Sequence, residues 1–217
     1  VPYRANIAAL KQLGVTDIIA LSAVGSLRED LSPGTFVIVD QFVDRTIQRA
    51  KTFFGPGLVA HVPMAHPVCN RLGDRLEASA HAMGLPTVRG GTYIAMEGPQ
   101  FSTLAESQLY RQWGLDVVGM TNMPEAKLAR EAEICYATVA MVTDYDCWHA
   151  EHGSVEGTDV LRVLKDNAAN ARSLIAETAR GADARPQPCP HGCDRVLDTA
   201  LITPPEARDP EVKRRLM

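Results

Sequence analysis

The run Thr138–Val142 (TVAMV), followed at once by Thr143-Asp144-Tyr145-Asp146-Cys147-Trp148, constrains this chain more than any other stretch. With the apolar residues of Ile134–Ala137 ahead of it, the run reads as a fully buried strand. At its carboxyl end the polarity reverses within one residue. In open α/β sheets that end of a strand is where ligands sit. A carboxylate held there against an apolar wall resists ionisation, because burial disfavours its charged form. Asp144 and Asp146 so placed offer a general acid. Two Asp residues at a strand end can equally cap a helix or solvate a loop.

Composition narrows the choices. The 217 residues carry an ordinary apolar fraction, enough for one well-buried α/β domain. A net charge of −4 without a basic run argues against nucleic-acid binding through phosphate neutralisation. No apolar segment approaches membrane-spanning length and no secretory signal opens the chain, so a soluble cytoplasmic protein without a membrane partner is expected. Five cysteines, an odd number, do not make a disulfide framework at this length. Cys69, Cys135 and Cys147 read as small core residues.

Along the chain, strands alternate with helices. Arg4–Leu13 has helical spacing and Gly14 stops it. Asp17–Leu21 reads as a buried strand running into Ser22-Ala23-Val24-Gly25-Ser26. Those small residues could let backbone N–H groups approach an anion, or form an ordinary tight turn. Thr35–Asp40 reads as a strand, residues 44–61 as a long loop, and Asn70–Met83 as an amphipathic helix. Thr92–Met96 is a strand, and Ser102-Thr103 cap a helix through Trp113, with Glu106 placed for a capping box. Asp116–Gly119 is a further strand, and Pro124 begins the next helix at its favoured first position. Val155–Ala179 is a long amphipathic helix covering one face of the sheet. Four strand ends therefore carry polar or small residues: Ser22, Glu97, Met120-Thr121 and Asp144-Asp146. Side chains converging from several strand ends onto one mouth are how α/β enzymes build a site.

These stretches carry a resemblance. YRANI at 3–7, SAVGSLRED at 22–30, DQFVDRT at 40–46, HVPMAHP at 61–67, MEGPQFST at 96–103, GMTNMPEAKLAREAEICYA at 119–137 and VTDYDCW at 142–148 occur in order over nearly the whole chain. The chain resembles the trimeric purine nucleoside phosphorylase family, and within it the branch acting on 5′-methylthioadenosine. The resemblance implies an α/β single-domain, nucleoside phosphorylase-like fold, a central mixed sheet flanked by helices. It implies a domain over 1–182 and a Pro-rich linker with a C-terminal arm over 183–217. The implied reaction is phosphorolysis of 5′-methylthioadenosine to adenine and 5-methylthioribose 1-phosphate, with inorganic phosphate as co-substrate and no cofactor or metal.

Residue roles follow from the same motifs. Ser22 and Ala23 resemble phosphate-contacting positions, with Thr121 and Thr143 lining the phosphate and base regions. Phe101 resembles the ring stacked beside the base, and Met120 the residue under the ribose. Asp144 and Asp146 match adenine-reading carboxylates, Asp144 being the expected proton donor to N7. His61 resembles a residue reaching a neighbouring subunit's site in a homotrimer, near the 5′-substituent. Gly157 and Val160 fall where the 5′ pocket is shaped. The family also has a glycine-rich phosphate loop and an Arg-His segment ahead of YRAN. A chain starting at Val1 is therefore expected to bind phosphate poorly.

Two rivals stand beside this reading. A phosphorylase for 6-oxopurine nucleosides or methylthioinosine has Asn where Asp144 stands, because an amide can donate toward O6. A non-catalytic nucleoside-binding domain would follow from a missing phosphate loop. In the arm, Cys189-Pro190-His191-Gly192-Cys193 could hold a metal or close a local disulfide. No fourth ligand at matching spacing supports the metal, and in a reducing cytoplasm free thiols are expected. Asp194–Leu201 reads as a short helix.

Overall fold

The computed structural model describes residues 1–150, 157–180 and 188–212, apart from the side chains of 157–162, 164 and 166. Chain order is α1 (Tyr3–Gln12), β1 (Asp17–Ser26), β2 (Phe36–Ile38), β3 (Gln41–Asp44), α2 (Asn70–Ala82), β4 (Thr87–Arg89), β5 (Thr92–Ala95), α3 (Leu104–Gln112), β6 (Val117–Gly119), α4 (Asn122–Glu131), β7 (Cys135–Asp144), α5 (Gly157–Arg180) and α6 (Leu197–Ala200). The strands form one seven-stranded sheet in the order β3-β5-β6-β1-β7-β2-β4. It is mixed: β6 runs antiparallel to β1 and β2 antiparallel to β7, while the other neighbours are parallel.

Beside the central strand β1 lies β7, buried along its first nine residues. Its side chains alternate between two cores, as strand geometry requires. Tyr136, Ala140 and Val142 face Tyr3, Ile7, Ala126 and Ala129 of α1 and α4. Cys135, Ala137, Val139 and Met141 face Leu72, Leu76 and Ala80 of α2 and Ala171 and Leu174 of α5. A strand walled by helices on both sides has no solvent face, which is why its sequence is apolar without alternation. The two sheet edges meet at a shared corner. Asp40 N and Gln41 N both donate to Gly91 O at 3.2 and 3.3 Å, and Gly90 N donates to Ile38 O at 2.9 Å. The sheet therefore curls back on itself.

Most elements match the sequence reading, with instructive exceptions. Thr103 caps α3 through a complete capping box with Glu106. In α4 the helical conformation begins at Pro124, because Met123 is held extended (φ −118°, ψ 133°), as a residue preceding proline must be. The expected loop at Ser22–Ser26 is instead strand. Ser22, Ala23 and Val24 pair in register with Ala140, Met141 and Val142, so β7-side ladder bonds keep the small residues extended. The strands β3 and β4 escape the sequence reading because three or four residues between turns show no period. Residues 44–61 are a loop apart from β3's last residue and isolated bridges at Gly55↔Leu58 and Ala60↔Leu201.

Candidate active site

The ladder between β1 and β7 breaks at one place, and that break builds the site. Val24 pairs with Val142, but Gly25 pairs with Asp144, leaving Thr143 as an extra residue. Such a bulge bends the strand and re-aims the side chains beside it. On the other flank, β6 pairs only with Gly25 and Ser26 of β1. The β6-facing edge of β1 from Leu21 to Val24 consequently has no strand partner, and a cleft opens along it. The cavity there has a volume of about 280 Å³. It is lined by Ser22, Ala23, Phe101, Met120, Thr121, Thr143, Asp144 and Asp146 among others. Eight of the residues singled out from sequence thus share one cavity, supplied by the ends of β1, β5, β6 and β7.

The carboxylates are tightly placed. Asp144 Oδ1 accepts the Asp146 backbone N–H at 2.7 Å, and Asp144 Oδ2 lies 2.7 Å from Thr143 Oγ1. Asp146 takes a positive φ of 51°, a conformation Asp tolerates better than most residues, which turns the chain back under Asp144. Gly25 permits this packing. A Cβ there would lie 2.9 Å from Asp144 Oδ1 and 3.2 Å from the Asp146 Cα. Burial raises the Asp144 pKa above the ordinary carboxylate value, against the lowering effect of the Thr143 hydroxyl and the Asp146 N–H. Asp146 is raised for the same reason, opposed by the Ser107 and Ser102 hydroxyls. Its Oδ2 is buried and, with the Ser107 hydroxyl nearby, makes no hydrogen bond of good geometry. A buried acceptor left unpaired is costly unless a ligand supplies the donor.

Across the cavity stands a cluster of hydroxyls. Ser22 Oγ is 2.9 Å from Thr121 Oγ1 and 3.1 Å from Tyr93 Oη, and Thr121 N–H donates to Tyr93 Oη at 3.3 Å. Phe101 is 49% exposed, an apolar ring left at the cavity mouth rather than in the core. It is available for stacking on a planar ligand.

Some expected residues are not brought here. His61 is exposed on the loop, its N–H donating to Ala200 O at 2.8 Å, and is not among the cavity's lining residues. Gly157 and Val160 lie in the first turn of α5, and their side-chain surroundings fall outside the described residues. Two contributors were missed from sequence. Tyr93 sits inside an apolar strand, where a hydroxyl gives no pattern. Arg49 lies in the long loop yet donates to Met120 O, Met123 O and Glu97 O at 2.5 to 2.6 Å. It ties the ends of β5 and β6 together beside a second, larger cleft that shares Met120 and Thr121.

The family model of the phosphorylase superfamily matches residues 1–180. The chain is 63% identical over 214 residues to S-methyl-5′-thioadenosine phosphorylase of Bradyrhizobium diazoefficiens, covering 99% of this chain and 74% of that protein. It is equally 63% identical to the protein of that name from Rhodospirillum rubrum, covering 100% and 74%. A crystal structure of methylthioadenosine phosphorylase from an Antarctic soil metagenomic library superposes with a TM-score of 0.89 at 51% identity, covering 100% of this chain and 76% of that one. The methylthioadenosine phosphorylase of Schistosoma mansoni, in complex with adenine, gives 0.87 at 36% identity, covering 92% and 78%. The chain belongs to the phosphorylase superfamily and, within it, to the family of the S-methyl-5′-thioadenosine phosphorylases.

Proposed function

We propose that the chain catalyses phosphorolysis of 5′-methylthioadenosine, releasing adenine and 5-methylthioribose 1-phosphate, with Asp144 as the proton donor. The observation that carries the site assignment is a buried carboxyl, whose ionisation burial disfavours, sharing one small cavity with a hydroxyl cluster. A phosphate oxygen forms its bond to the anomeric carbon as the bond to N9 breaks. The departing electron pair is stabilised by the proton that Asp144 passes to N7, and Asp144 regains a proton from solvent. No covalent intermediate with the protein is needed.

The local hydrogen bonding suits a protonated Asp144. Thr143 has one hydroxyl proton and two candidate acceptors, Val24 O at 3.2 Å and Asp144 Oδ2 at 2.7 Å. When that proton goes to Val24 O, the Thr143 oxygen is free to accept from Asp144 Oδ2–H. The unpaired Asp146 Oδ2 supplies an acceptor for the exocyclic amino group of adenine. A 6-oxopurine offers no donor at that position, which disfavours it as substrate. Ser22, Thr121 and the Ala23 backbone hold phosphate, Phe101 stacks on the base and Met120 packs under the ribose.

The working unit in this reading is a homotrimer of cytoplasmic chains, each with a phosphorylase domain over 1–182 and an arm over 183–217. The exposure of His61 outside its own cavity supports its use by a neighbouring subunit. Gly157 and Val160 shape the 5′ pocket. No helix among the described residues is long and apolar enough to cross a membrane. The deciding assay is adenine release from 5′-methylthioadenosine with and without phosphate. Release that does not depend on phosphate would overturn the reaction type.

A further inference from the structure

At the opposite end of β7 from the acidic pair, four cysteine sulfurs meet. Cys69, Cys135, Cys189 and Cys193 are all buried, none is in a disulfide, and their Sγ atoms lie within 4.8 Å of one another. Cys135 and Cys189 Sγ are 3.6 Å apart. We propose that this cluster is a structural zinc site, a closed tetrathiolate that fastens the C-terminal arm to the sheet.

Separations within 4.8 Å are close to those a tetrahedral ion with one sulfur at each corner would set. Zn–S bonds of about 2.3 Å place the sulfurs about 3.8 Å apart, so the cluster needs each sulfur to move by roughly 0.6 Å or less. The backbone already holds the ligands in place. Cys69 caps the 13-residue helix α2 and donates its N–H to Tyr136 O at 2.8 Å, which fixes it against β7. Cys135 N donates to Thr16 O at 3.0 Å. Cys189 and Cys193 are presented by a tight turn in which Gly192 N donates to Cys189 O at 2.9 Å, with Gly192 at φ 66°. Cys189 N donates to Asp194 Oδ2 at 2.8 Å. Two cysteines with three residues between them on such a turn are a spacing zinc sites use. The other two ligands come from distant parts of the chain, which is why spacing in the sequence did not show a complete set.

Positive side chains lie beside the cluster. Zinc with four thiolates carries two net negative charges, and two guanidiniums adjoin the sulfurs. Arg130 Nη1 donates to Cys193 Sγ at 3.7 Å, and Arg71 lies close enough to Cys135 and Cys69 for their charge to act on it. Arg71 also pairs with Asp17, so its charge is shared. Yet Arg71 Nε is buried with no hydrogen-bond partner. A buried donor without a partner is costly, and a thiolate within its reach would be an acceptor. The amino end of α2 adds a favourable dipole at Cys69. Four enclosed ligands leave no open position for substrate, so the ion is structural. Each Zn–S bond forms as one thiol proton leaves to solvent, and nothing is oxidised or reduced.

The consequence lies in the arm. Val196, Leu197 and Ala200 pack on Phe54 and Leu58 of the long loop, and Ala200 O and Leu201 hold His61 and Ala60. Zinc would therefore fix the surface from which His61 projects. Metal analysis of the purified full chain should find about one zinc per chain, with X-ray absorption at the zinc edge showing four sulfurs near 2.3 Å. Cys193→Ser should weaken zinc binding by at least ~100-fold, and Arg71→Met, which removes no ligand, by ~10-fold. Should the serine variant not fold, thiol titration of the unaltered chain decides. Four cysteines protected until a chelator is added support the site. Four reactive thiols without a chelator, two disulfides, or iron in place of zinc would overturn it.

Discussion

Asp146 donates its backbone N–H to Asp144 Oδ1 over 2.7 Å, so the backbone of one acid fixes the carboxyl of the other at the end of β7. Burial raises both pKa values, and the neighbouring Asp146 charge adds to the rise at Asp144. A proton donor works only while protonated. Activity should therefore fall as pH rises through an apparent pKa above the ordinary carboxylate value, in a profile of kcat/KM against pH. An alkaline limb unchanged in Asp144→Asn would assign that ionisation elsewhere.

The same shift has a stability consequence of known sign. Between the unfolded and folded pKa of Asp144 the native state holds more protons than the unfolded chain. Unfolding free energy therefore falls as pH rises through that window. Asp17, Glu125, Glu131 and Asp146, also raised by burial, contribute in the same direction, while Asp44, lowered by Lys127, Thr46 and Lys51, contributes the opposite. Urea denaturation of Asp144→Asn across the range should show a shallower decline than the parent. The same variant should lose about 10²- to 10⁴-fold in kcat/KM for 5′-methylthioadenosine and gain relative use of 6-oxo nucleosides. An unchanged ratio between the two substrate classes would remove Asp144 from base recognition.

Much of this was legible in the sequence because burial writes itself into composition. The uninterrupted apolar run of β7 announced a strand with helices on both faces, and the abrupt change after Val142 marked its functional end. The extra residue in the ladder at Thr143 was not legible, since a bulge is a relation between two strands 119 residues apart. The same holds for the sulfur cluster. Cys69 and Cys135 read as core residues, which they are, and only the fold brings the arm's two cysteines onto them.

Gly25 tests the bulge directly. In Gly25→Ala the new Cβ would meet Asp144 Oδ1 at 2.9 Å, Asp146 Cβ at 3.1 Å and Asp146 Cα at 3.2 Å. Two of those atoms belong to a turn at positive φ, which cannot yield as a flexible side chain can. Overpacking of this kind costs about 1–3 kcal/mol. A shift of the carboxyl by even part of an ångström should lower kcat/KM by ~10²-fold. Thermal unfolding and steady-state kinetics read the two effects separately. Full activity in this variant would mean that the Asp144 position tolerates more freedom than proton transfer at a fixed atom allows.

Tyr93 tests the opposite wall. Its hydroxyl is 3.1 Å from Ser22 Oγ and accepts the Thr121 N–H at 3.3 Å. The fit is close: a Cβ at Gly119 would fall 2.0 Å from that oxygen, so the strand beside it must be glycine there. Tyr93→Phe keeps the ring and its edge-to-face contact with Phe42 but removes the oxygen that meets the Ser22 hydroxyl and the Thr121 N–H. Ser22 and Thr121 would remain paired, now free to turn, and the Thr121 N–H would lose its acceptor. A hydrogen bond of this sort is worth about 0.5–1.5 kcal/mol, up to ~10-fold in binding. The phosphate KM should rise by about that factor, while the nucleoside KM stays within about twofold, because Asp144, Asp146 and Phe101 are untouched. Measuring both constants in one variant separates a phosphate-side role from general loosening of the cavity. Equal increases in the two would show that Tyr93 supports the fold of the site rather than its anion wall.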